Sequence, residues 1–118
     1  MNEHPAAHVA HHGEVSVVTV GGEVGVIQAH DLRELLMGAV RNEDLGMVVD
    51  LSGASYIDSV GVSLLFELAE RLAERQLRMA VVLPDGGLVE RVLTIVNLDS
   101  VAEIHRTLDG ALAAIPRG

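Results

Sequence analysis

Asp58-Ser59-Val60-Gly61 is the stretch of this chain whose residue types and order point to chemistry. A carboxylate and a hydroxyl adjoin at the foot of a helical pattern that runs on through Leu64, Leu65, Leu68 and Leu72. At a helix start, an aspartate or serine oxygen accepts from free backbone amides, and by pattern alone such a cap, with Gly61 as a close-packing residue, is the simpler reading. The other reading is a modification switch. A phosphoryl group on Ser59 adds about −1.5 to −2 charge, which the amides and dipole of a helix N-terminus tolerate without unfolding. A partner docked on the same surface, beside Asp58, would have to bury or oppose that charge. Such a switch acts on binding and leaves the fold alone.

Other chemistries find less support. Ser59 has no evident base, since no histidine falls in a triad or elbow pattern, and no catalytic residue is assigned. The loop at Gly53 lacks the lysine and glycine spacing of a phosphate-cradling loop. Pro84-Asp85-Gly86-Gly87 reads as a turn opening a helix. His4, His8, His11 and His12 lie close together and imidazoles bind transition metals, yet Pro5 and two alanines among them suggest a solvated tail. His30 and His105 are isolated. No metal site and no cofactor are expected.

Composition narrows the partner. The net charge is −9 and only 2% of residues are aromatic, so phosphate backbones are repelled and no ring platform exists for bases. Nucleic acid is a poor partner; a basic protein surface is favoured. Cysteine is absent, which suits a reducing compartment. No run approaches the ~18 apolar residues of a membrane span, and the first residues lack a signal-peptide pattern. A cytoplasmic protein with no membrane partner is the expectation.

The elements that position the motif follow from periodicity. Residues 1–13 read as a flexible lead-in and 14–118 as one domain. Val15, Val17, Val18 and Val20, then Gly21-Gly22, then Glu23 to Ile27, suggest two short strands paired as a hairpin. Gln28 to Val40 takes helical spacing, with Asp31 in its first turn. Met47 to Leu51 is a nearly continuous apolar run, as in a strand buried on both faces. Ser52 to Asp58 reads as a loop into the central helix, where Glu67 and Arg71 lie at i,i+4 spacing. Met79 to Leu83 is another strand, Leu88 to Val96 a helix, Val101 to Ile104 a short strand and Leu108 to Ile115 a last helix. The fold class is α/β, a single-layer mixed sheet of about five strands with helices packed against it.

Against this background, Asp50-Leu51 followed by Asp58-Ser59-Val60-Gly61-Val62 resembles the hallmark of the STAS family, and within it the bacterial anti-sigma factor antagonists. The likeness extends to Gly22-Glu23-Val24 and Ala29-x-x-Leu32-Arg33, and downstream to Arg91-Val92-Leu93 and Asn97-Leu98-Asp99. The resemblance implies a STAS-like domain over 14–118 that works by partner switching. The unphosphorylated antagonist binds an anti-sigma factor that is also its serine kinase; phosphorylation of Ser59 ends that binding and a metal-dependent serine phosphatase restores it. Asp58, Ser59, Val60 and Gly61 would form the partner-binding surface, with Asp58 shaping the loop and Gly61 admitting a partner backbone. Two positions depart from the pattern. Val60 replaces a second Ser/Thr, which leaves one hydroxyl as acceptor. Gly25 stands where many members carry Asp, which puts kinase recognition in question. The alternative is a non-phosphorylated STAS scaffold or subunit of a transport or signalling assembly, with Ser59 as a cap.

Overall fold

The computed structural model describes residues 7–115. The elements run β1 (Ala7–His12), β2 (Val15–Val24), α1 (Ala29–Gly38), β3 (Gly46–Ile57), α2 (Ser59–Glu74), β4 (Arg78–Val82), α3 (Leu88–Ile95), a 3-10 turn (Leu98–Ser100), β5 (Glu103–His105) and α4 (Leu108–Ala114). The strands form one sheet in the order β1-β2-β3-β4-β5. β1 is antiparallel to β2, and the other three pairings are parallel.

Two apolar layers hold the sheet. Val18, Val20, Val49, Leu51 and Val81 face α1, α2 and α3, which contribute Leu36, Leu65, Leu68 and Leu93. Val15, Val17, Val48, Ala80 and Val82 face the other way and meet Ala111 and Ile115 at the α4 end. The Met47–Leu51 run is therefore covered on both sides, which explains its lack of polar alternation.

Three expectations change. Over Ala7–His12 the expected flexible lead-in is a strand, with His12 opposite Val15 and Ala7 opposite Val20. Ala7 and Val9 pack on the core from alternate positions, and Gly13, with φ +63°, makes the reversal. Residues 1–6, including His4, lie outside the described residues. The hairpin expected across Gly21-Gly22 is absent. β2 runs through both glycines to Val24, with register irregularities against β3 that absorb them. β3 likewise continues to Ile57 through the segment expected as a loop, its far half pairing with the end of β2.

Between helices, Glu67 bonds Arg33 of α1 through both carboxylate oxygens, a pairing no local spacing reveals. The expected Arg71 contact is present at 3.8 Å as the longer of the two.

Candidate functional site

The long parallel partnership of β2 and β3 brings Val24 and Ile57 side by side, so the chain leaves both strands at the same end of the sheet. Asp58 follows in extended backbone and α2 begins at Ser59. The Asp58 Oδ1 atom accepts from the amides of Val60 and Gly61, each at 3.0 Å. Its Oδ2 atom accepts from the Val26 amide at 3.1 Å. One carboxylate thus caps α2 and clamps the loop between β2 and α1. The Gly61 amide above all, with help from those of Val26 and Val60, holds Asp58 below the usual carboxylate range, and together they outweigh the desolvation that pushes it up.

Asp58 takes the capping role that pattern alone allowed to either residue. Ser59 is exposed, and its hydroxyl has no hydrogen bond among the described residues.

Gly25 acquires a physical reason. A Cβ built there would sit 2.8 Å from Asp58 Oδ2, so the glycine leaves room for the carboxylate to reach Val26. Its amide also donates to Gln28 Oε1 at 3.1 Å, closing the loop on itself. Gly61 is buried against this same chain: a Cβ there would collide with the Val24 carbonyl oxygen. Of the two readings the sequence allows, close packing within the fold or admission of a partner backbone, the structure shows the first, the approach of α2 to β2. Val60, by contrast, is 38% exposed.

The residues that spacing missed are apolar. Val26 is 65% exposed and Ile27 84%, and Tyr56 near the end of β3 is exposed as well. Tyr56 pairs with Glu23, and the Val26 amide is held by Asp58. Val60 is exposed next to Ser59, and Asp58 ties the Val26 loop to the same helix start, so exposed apolar side chains of two segments are joined through that carboxylate. Two adjacent apolar residues between Gly25 and Gln28 are the available signal, but their β-branched pattern reads as strand. The other half of the motif is structural: Leu51 lies in the core, and Asp50 Oδ1 accepts from the amide and hydroxyl of Ser52.

The histidine tract is divided. Strand alternation places His8 and His12 on one face of β1 and His11 on the other, where His11 meets Ser16 at 3.2 Å. Among the described residues no three acidic or histidine side chains converge as a metal ion requires.

The model of the STAS domain matches residues 6–111. The chain belongs to the STAS family. This STAS chain is 30% identical over 110 residues to the anti-sigma-F factor antagonist RsfB of Mycobacterium tuberculosis, covering 93% of the chain and 88% of that relative. It superposes on the crystal structure of an anti-sigma factor antagonist from Mycobacterium paratuberculosis with a TM-score of 0.84 and 30% identity, covering 94% and 93% of the two chains. The Bacillus cell fate determinant SpoIIAA in its phosphorylated form shares the fold, at a TM-score of 0.66 and 19% identity over 94% of this chain and 100% of that one. No helix among the described residues is long and apolar enough to cross a membrane.

Proposed function

We propose that this STAS chain is an anti-sigma factor antagonist whose Ser59 surface binds an anti-sigma factor that is also its serine kinase. Phosphorylation of Ser59 ends the binding, and a serine phosphatase restores it. The chain acts as a cytoplasmic binding module and carries out no catalysis of its own.

The observation that carries this reading is an exposed serine hydroxyl with no hydrogen bond among the described residues, next to exposed Val60 and to a loop of exposed Val26 and Ile27 that Asp58 holds to the same helix start. Apolar surface left in water at one patch is what a docking partner removes. The hydroxyl is free to be modified because Asp58 already supplies the cap. A phosphate there lies at the positive end of the α2 dipole, so its cost falls on the partner, which must desolvate a dianion beside Asp58. The RsfB name and that of the solved mycobacterial antagonist support the same partner class.

The test compares Ser59→Ala with Ser59→Asp in binding to a purified anti-sigma factor kinase. Ser59→Ala should bind as the parent chain does and resist phosphorylation. Ser59→Asp should bind at least about tenfold more weakly, from like-charge and desolvation cost. Equal binding by both variants would leave a scaffold in which Ser59 has no switching role.

A further inference from the structure

The edge of the sheet away from β1 has a feature that the Ser59 surface does not use. β5 is the outermost strand there, and a groove of about 360 Å³ lies between it and α3. Leu83, Leu93 and Ile104 give it an apolar lining, while Glu90 and Asp99 stand on its rim. Arg106 is the one cation in that lining and is already engaged, donating to the Leu83 carbonyl at 2.9 Å and pairing with Asp85 at 3.1 Å. Glu90 bonds only the Thr94 hydroxyl, and neither Glu90 nor Asp99 has a cationic partner among the described residues. Beyond the rim, Ile95 is 72% exposed and Val101 is also exposed.

The backbone completes the chemistry. The Leu83 amide donates to the His105 carbonyl at 2.8 Å, so His105 turns its polar groups toward the inner strand. By strand alternation Ile104 turns its amide and carbonyl outward, to the open edge. An extended chain can pair there, and its alternate side chains would enter the groove.

We propose that this edge is a second protein-docking site, which takes an extended segment carrying an apolar residue between two basic ones. The apolar side chain fills the groove over Leu93 and Ile104, and the flanking cations meet Glu90 and Asp99. Charge complementarity selects this occupant: a second copy of a chain with net charge −9 would bring more negative charge to the same rim. The site lies two strands from β3, which leads to Ser59, so it operates whatever the state of that serine.

The test is an NMR titration of the isotope-labelled full chain with the blocked peptide Lys-Val-Leu-Val-Lys. The shifts should saturate and cluster at Thr94, Asn97, Asp99 and Ile104. The double variant Glu90→Gln, Asp99→Asn should bind about fivefold more weakly, the size expected for two lost exposed charge contacts. Replacing the central leucine of the peptide by glycine should weaken binding further, while Ser59→Asp should change nothing. Shifts spread over the acidic surface, shifts centred on Ser59, affinity unaltered by the double variant, or no saturable binding would each overturn the proposal.

Discussion

A carboxylate that accepts three backbone N–H groups organises the start of α2, and Asp58 is that carboxylate. Its side chain joins two segments that are distant in sequence, the first turn of α2 and the loop at Val26. Asp58→Ala should therefore lower the urea midpoint and also weaken partner binding, because Val26 and Ile27 lose their anchor. Asp58→Asn keeps one acceptor oxygen and should recover part of both. A variant that loses stability while holding partner affinity would show that the loop is not positioned by Asp58. The capping chemistry is legible in the sequence, since Asp before a helical apolar pattern is a common start signal. The reason for Gly25 is not, because it depends on Asp58 Oδ2 arriving from thirty-odd residues away. Local spacing carries no record of such an encounter.

At the level of elements, the approach of α2 to β2 depends on Gly61. With the Val24 carbonyl standing where a Cβ would go, Gly61→Ala must push the helix from the strand or bend its first turn. Overpacking of this kind typically costs ~1–3 kcal/mol, and thermal or urea unfolding would measure it. A Gly61→Ala chain as stable as the parent would contradict this packing. From Met47 onward, strong periodicity makes the strands and helices legible, apart from the extension of β3, the 3-10 turn at Leu98–Ser100 and the last strand, which spans Glu103–His105 where Val101 to Ile104 is expected. The departures at the N-terminal side have separate causes in β2 and β1. Glycine pairs usually mark turns, but Gly21-Gly22 sit where β2 shifts register against β3, and pairing with that neighbour keeps them in the strand. In β1, histidines dilute the alternation of Ala7 and Val9, although Gly13-Glu14 just before Val15 is a hairpin spacing.

On the scale of the whole molecule, acid stability ties the parts together. Asp44 is buried, where desolvation pushes its carboxyl up. Hydrogen bonds from the Arg41 amide, the Ser16 hydroxyl and the Arg41 guanidinium together outweigh that and bring it below its usual range. Glu67 beside Arg33, Glu103 beside Arg78, and Asp58 are lowered as well. A carboxyl held low in the folded state contributes stability that is present above its unfolded value, about 4. That stability is lost as pH falls through the lower folded value, because the unfolded chain binds the protons first. Urea midpoints should thus be flat with respect to these groups at neutral pH and fall below about pH 4. Asp44→Asn should flatten part of that fall; an unchanged acid profile would show that Asp44 has no share in it. The whole assembly with its partner carries the functional claim, and one measurement bears on it most directly. The purified chain is incubated with an anti-sigma factor kinase and ATP, the phosphate is mapped by mass spectrometry, and the same preparation is titrated against that kinase before and after modification. A single phosphate on Ser59 is expected, with an affinity reduced by about a hundredfold, as when a dianion must be desolvated at an interface. A phosphate on another residue, or full affinity with Ser59 phosphorylated, would contradict the switch.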